Sequence, residues 1–347
     1  MKKFFTVAAS LILSAAMLTA CGSSAAPAAT TGAPETTAVT QAPATETTEE
    51  TKSFNIAIVQ QLDHASLDEI RLAVEDELTK AAADKGFQVS YKEFNGQNDN
   101  TVLNQIGAQV VSDKYDAIIP IATLAAQCMA TATDGTDIPV IYAAISDPAA
   151  AGLTDIPNVT GTSDALNTAF ILDMMLAAQP DVKTVGLLYS NSEANSQTPI
   201  AQAKEYLEQK GIAYIEKTGN STDEILTAAS SLVGRVEAVF TPTDNVVMAC
   251  EGAVAEILNQ AGIAHYTGAD SFVAAGAFTT SGVNYTELGT YTADMAVDIL
   301  LGGAVPEYHV MDGGIITVNT DTAEALGIDY SGFKTMANTV TEVTTVE

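Results

Sequence analysis

Glu237-Ala-Val-Phe-Thr-Pro-Thr-Asp244-Asn245 decides how this chain folds, because Asp116-Ala-Ile-Ile-Pro-Ile-Ala-Thr123 repeats its plan. In each, an acidic residue and Ala lead into an apolar run, a Pro falls in or just after the run, and small polar residues close it. An apolar run of this kind suits a strand buried on both faces in a parallel sheet, and such sheets bind ligands at the carboxyl ends of their strands. Asn55-Ile-Ala-Ile-Val-Gln60 is matched by Thr184-Val-Gly-Leu-Leu-Tyr189, and Ile138-Pro-Val-Ile-Tyr142 by Ile263-Ala-His-Tyr266. The paired strands stand roughly 125 residues apart, too long a period for a solenoid, which implies two related α/β lobes.

Outward from these strands the pattern is regular. Strands over 54–60, 87–94, 116–122 and 138–142 alternate with helices, among them 100–112 and 124–132. The apolar stripe Ile70, Ala73, Val74, Leu78 and Ala81 has helical period and stops at Gly86. Beyond Thr160-Gly161-Thr162 the scheme restarts with helix 164–178, strand 184–189, helix 197–210, strand 212–216, helix 222–233, strand 237–241 and helix 245–261. Late elements follow: strand 277–280, helix 287–301, strand 315–318 and helix 321–326. The expected fold is α/β, two similar Rossmann-like lobes with parallel sheets joined by three crossings and a ligand cleft between them. Lobe one is assigned 53–162 plus 277–310, lobe two 163–276 plus 311–330, and 331–347 is read as a short tail.

The amino terminus belongs to neither lobe. Lys2 and Lys3 precede an apolar stretch from Phe4 to Leu18, too short to span a membrane, so residues 1–20 read as a secretory signal. Leu18-Thr19-Ala20-Cys21 resembles a bacterial lipobox, which implies cleavage before Cys21 and lipidation of its thiol. Residues 22–52 are Ala, Thr, Pro, Gly and Glu with almost no large apolar side chains, the composition of a disordered tether. The expected location is extracytoplasmic, attached to the membrane through lipid alone. Cys128 and Cys250 sit in apolar surroundings of different lobes and read as free buried thiols. A net charge of −29 leaves no basic patch for phosphates, which excludes nucleic acid as a partner.

Candidate chemistry gathers at the strand ends: Asp63 and His64, Thr123, Ser146 and Asp147 in lobe one, and Asn195, Ser196, Asp244, Asn245 and Asp270 in lobe two. Short acids and hydroxyls beside helix starts suit a small ligand bearing both a cation and an anion. The carboxylates take an ammonium, and the amides opening helix 124–132, at Leu124 and Ala125, take a carboxylate with help from Thr123 and Ser196. That describes a free amino acid. Tyr142, Tyr189 and Tyr285 are candidates for stacking on an aromatic side chain, and each equally fits packing within its lobe. Each Asp also fits a helix N-cap. No metal or cofactor is expected: His64, His265 and His309 lack partners at ligand spacing.

Several blocks resemble the bacterial ABC-transporter solute-binding lipoproteins of the tryptophan/tyrosine-binding type, which have the type I periplasmic-binding-protein fold. They are Asp63-His64 with Leu67-Asp68, Ile121-Ala-Thr123 with Ala125-Ala-Gln127, Ser146-Asp-Pro148 with Ala151-Gly-Leu153, Asn158-Val-Thr-Gly-Thr-Ser-Asp164, Tyr189 with Glu193-Ala-Asn-Ser196, Pro242-Thr-Asp-Asn245, and Tyr285 with Leu288-Gly289. The chain departs from that family's habit at Leu124, where Pro is usual, and at Asp63 and Ser66. The resemblance implies a monomer that captures an amino acid, often aromatic, between closing lobes and delivers it to an ABC permease. A branched-chain amino acid, nucleoside or sugar is the nearer alternative, although the chain has no Trp for a sugar platform. An enzyme is the remoter one: Gly-x-Ser-x-Gly, Walker and His-Glu-x-x-His motifs are all absent, and a carboxylate pair is the only acid/base chemistry on offer.

Overall fold

The computed structural model describes residues 51–346, so the signal segment, Cys21 and the 22–52 tether up to residue 50 lie outside the described residues. The chain opens with β1 (Ser53–Gln60), α1 (Ala65–Lys85), β2 (Gln88–Asn95), α2 (Asn100–Ser112), β3 (Ala117–Ile121), α3 (Thr123–Ala132), β4 (Val140–Tyr142) and β5 (Val159–Ser163). It then crosses to α4 (Thr168–Ala178), β6 (Thr184–Tyr189), α5 (Ala194–Lys210), β7 (Ala213–Thr218), α6 (Thr222–Ser230), β8 (Ala238–Thr241), α7 (Asn245–Met248), α8 (Glu251–Gln260), β9 (Ala264–Thr267), α9 (Asp270–Ala274) and β10 (Thr279–Gly282). Last come α10 (Tyr285–Leu300), β11 (His309–Val310), β12 (Ile315–Asn319), α11 (Thr320–Leu326), a 3-10 turn over Ser331–Thr335 and β13 (Val340–Val343).

Two sheets result, ordered β11-β5-β4-β3-β1-β2 and β13-β12-β10-β9-β8-β6-β7. All pairings are parallel except β10 with β12. The duplicated strands β3 and β8 hold equivalent places beside β1 and β6, and all their residues are buried, as runs apolar on both faces require. Local chemistry sets the ends of the helices between them. Asp99, Ser221 and Asn284 cap α2, α6 and α10 through their side chains, and Gly86 and Gly211 end α1 and α5 in the left-handed conformation.

Three crossings join the lobes, as expected, but one strand changes sides. Thr279–Gly282, assigned from sequence to lobe one, pairs with β9 and β12 in the second sheet. The five-residue α9 is long enough to carry the chain from β9 to the adjacent place in the same sheet, so the crossing falls after β10. The helix after it does return to lobe one, where α10 packs along α1 and covers β3, β4 and β5. The presumed tail is also part of the fold. β13 extends the second sheet beside β12, and Phe333 is fully buried against Phe278 and Tyr330. The apolar side chain of Phe333 provides the burial that a polar Thr/Val/Glu segment did not advertise.

Candidate ligand-binding cleft

The carboxyl ends of both sheets face one another across a cavity of about 20 Å³, bounded by His64, Thr123, Ser146 and Ala144 from one lobe and Asn195, Thr243, Asn245 and Phe272 from the other. That volume holds a single water at most. Direct hydrogen bonds hold the walls together. Gln61 Nε2 donates to Glu193 Oε1 at 2.9 Å, His64 Nε2 meets Asn245 Oδ1 at 3.0 Å, and Ser146 Oγ meets Thr243 Oγ1 at 3.0 Å. Ser66 and Ser271 share a hydroxyl contact, and Thr198 Oγ1 donates to Asp147 Oδ2 at 2.7 Å. The lobes are shut, by bonds worth on the order of 1 kcal/mol each net of water.

Three buried polar atoms at this cavity lack partners: His64 Nδ1, Thr123 Oγ1 and Asn195 Oδ1. The bonding around Asn245 fixes the state of His64. Asn245 Nδ2 donates to Glu193 Oε2 at 2.6 Å, so its Oδ1 is the acceptor facing His64, and His64 Nε2 carries the proton. Nδ1 is then a bare acceptor, in a ring whose pKa burial pushes down and so keeps neutral. The backbone beside these atoms is strained. Ala122 at φ 75° and Ala144 at φ 60° both line the cavity, in a region that L residues rarely adopt. The alanine at the first of these turns lets α3 begin at the cleft wall. Its first amides have no acceptor within the helix, and that of Leu124 is taken by Gln61 Oε1 at 3.0 Å.

The carboxylates divide into distinct roles. Asp244 receives four donors from its own lobe: the Val246 and Val247 amides on Oδ1, and the Ser190 amide and Ser196 hydroxyl on Oδ2. Its lone pairs are filled, so it is the cap of α7 and not a free acceptor for an ammonium. Asp164, in the first crossing, is 5% exposed; it accepts from Ser146 Oγ at 3.0 Å and Tyr285 OH at 3.1 Å, and burial pushes its pKa up. Among the described residues it has no ion-pair partner. Glu193 is raised to about 7, by burial first and the neighbouring Asp244 charge second, against the bonds from Asn245 and Gln61.

That shift couples closure to protons. Parting the lobes readmits water around Glu193, which brings its carboxyl down from about 7; loss of the Gln61 bond opposes this, Asp244 stays beside it in lobe two, and burial, the largest cause, decides the sign. The shut form therefore takes up a proton: its advantage is complete below 4.5 and is lost as pH rises through about 7. Asp270, raised to about 6 by burial and Glu69, acts in the same sense. Small-angle scattering of the ligand-free protein should find a larger shut fraction at about pH 5 than at about pH 8, and Glu193→Gln should flatten the upper part of that change. An identical profile in the variant would assign the dependence to other groups.

Of the residues singled out in the sequence, the cavity gathers His64, Thr123, Ser146, Asn195, Asp244, Asn245 and Tyr285. Asp147 and Ser196 lie close by, in the bonds already described. Asp63 is exposed and bonded to Asn95 of its own lobe, Ala125 is core, Leu124 contributes its amide to Gln61, and Asp270 opens α9 outside the cavity wall. Tyr142 and Tyr189 pack inside their lobes; Tyr189 OH donates to Glu216 at 2.9 Å. Sequence reasoning passed over Gln61, Met248 and Phe272, and quoted Ser66, Asp164, Glu193 and Thr243 only within the blocks of resemblance, without a role at the ligand. Gln60-Gln61 at the end of an apolar strand was a usable signal, since buried amides at that place need partners.

Residues 55–337 match the family described as ABC transporter substrate binding protein. The chain is 33% identical over 290 residues to a tyrosine-binding protein of Clostridioides difficile, covering 80% of this chain and 82% of the relative. It also resembles a Streptococcus pneumonia ABC domain solved in complex with L-Trp, with TM-score 0.77, 31% identity and coverage of 83% of this chain and 100% of that one. A ligand-free, open substrate-binding protein with adhesive properties from Clostridium difficile superposes less well, at TM-score 0.64 despite 33% identity and coverage of 84% and 100%. The two-lobed α/β fold, the facing strand ends and the family match agree: the chain belongs to the ABC transporter substrate-binding protein family.

Proposed function

We propose that the cleft captures a free amino acid with an aromatic side chain and that the lobes close over it without chemical turnover. Substrate-binding proteins of ABC importers work outside the cytoplasm and hand a small solute to a membrane permease. The reading rests on one observation: the buried, unpartnered atoms of His64, Thr123 and Asn195 border the same small cavity as Asp164. His64 Nδ1, Asn195 Oδ1 and the Asp164 carboxylate supply three acceptors, the number an ammonium requires. The Thr123 hydroxyl, at the positive end of the α3 dipole, supplies a donor for a carboxylate. Leu67, Met248, Phe272 and Tyr285 add an apolar side for the rest of the molecule, and the names of the relatives that bind Tyr and Trp support an aromatic one.

Entry requires the lobes to part, since about 20 Å³ admits no amino acid. The solute then replaces the direct contacts of His64, Ser66 and Ser146 with lobe two by contacts of its own to both walls. Closure follows because the shut form offers it more partners than the open one. Isothermal calorimetry of the protein against the twenty amino acids, with sugars and nucleosides as comparison sets, tests this. Saturable one-to-one binding of Phe, Tyr or Trp with no loss of solute is the expected result, and selective binding of a sugar or nucleoside would overturn it.

A further inference from the structure

A second cavity, of about 470 Å³, is walled by all three crossing segments: Asp164 to Asn167 from the first, Ser281 to Val283 from the second, and Gly313 with Gly314 from the third. Phe170, Gly268, Tyr285 and the stretch 336–338 complete it, and only Asp164 and Tyr285 are shared with the cleft. Its volume falls within the roughly 300–1,000 Å³ of small-molecule pockets. Its walls are mixed in the way ligand sites are. Leu166, Phe170, Val283 and Met336 present apolar surface, while the Ser281 hydroxyl, 3% exposed, has no hydrogen-bond partner. A buried hydroxyl left single is costly, and its residue lines a space large enough for a molecule.

We propose that this hinge cavity is a second ligand site, for a small neutral molecule with a flat apolar body and one hydroxyl or amide group, and that its occupant favours the shut lobes. The apolar walls hold the body, and Ser281 both gives and accepts a hydrogen bond at the polar end. Because the walls belong to three segments that join the lobes, any change of interlobe angle changes the cavity. A molecule that fits the shut form binds that form better and draws the equilibrium toward it. The site is independent of which solute the cleft takes.

Phenol is a suitable probe, followed by ligand-observed NMR on the full chain, with interlobe distance read from a fluorophore pair. Saturable millimolar binding and a rise in the shut fraction are expected. Ala337→Trp, which fills the cavity from the 336–338 wall, should abolish both effects. Ser281→Ala should weaken phenol binding several-fold without loss of folding, since the hydroxyl has no partner to forfeit. Absence of saturable binding, or binding that survives both substitutions and yields to an aromatic amino acid, overturns the proposal. Binding that leaves the interlobe distance unchanged overturns the claim on closure.

Discussion

Asp164→Asn raises the dissociation constant of the cleft solute about 10- to 100-fold and leaves the protein folded. Asp164 stands on the first crossing, 5% exposed, with one oxygen toward Ser146 and the other toward Tyr285. Both neighbours are neutral hydroxyls, so the site holds a buried carboxyl with no cation to match it. An arriving ammonium provides the match, and a charge-assisted bond of this sort is worth about 1.5–3 kcal/mol. Asn keeps the volume, and its amide still serves the two hydroxyls, so thermal stability should hold or rise as a buried charge disappears. Calorimetry beside a melting curve separates the two. Unchanged affinity would mean that the ammonium finds its partner elsewhere.

Asp244→Ala lowers the melting temperature, by on the order of 10 °C, more than it alters affinity in the molecules that remain folded. One side chain here satisfies the Val246, Val247 and Ser190 amides and the Ser196 hydroxyl, all inside lobe two. Loss of the cap costs about 1–2 kcal/mol, and each buried donor left single adds about 1–3, partly offset by relief of the repulsion with Glu193. A variant that melts like the parent but no longer binds would put Asp244 in contact with solute and remove it from its capping role. Opposite profiles for the two aspartates, affinity for one and stability for the other, are the signature expected.

The strands that build both lobes were legible because duplication gives each one an internal control. What the sequence lacked was a way to choose among equivalent local signals. Asp164 and Asn167 are both plausible helix caps; the structure uses Asn167, whose side chain accepts from the Phe170 amide, and this leaves Asp164 free for the hinge. Strand β10, Thr-Thr-Ser-Gly, has no apolar run to mark a buried position, so its sheet could be assigned only by counting. The tyrosines could have been placed better. Tyr142 shares strand parity with Val140, and Tyr189 with Leu187 and Val185, which puts each ring on a face of its sheet among buried apolar side chains. The partner of Gln61 had no such signal: its pairing with Glu193 spans the two lobes and depends on how they meet.

The late placement of β11, β12 and β13 governs the order in which the molecule can be made. The first sheet waits for His309–Val310 at its edge, α1 waits for α10 to cover it, and the second sheet waits for residues 315–343. A ribosome that has delivered the chain through the end of α10 at Leu300 has completed neither half. These distant pairings slow folding and keep the nascent polypeptide loose until its end is free. For a chain of a family that works outside the cytoplasm, that delay keeps the polypeptide extended for longer than two lobes closed in sequence order would.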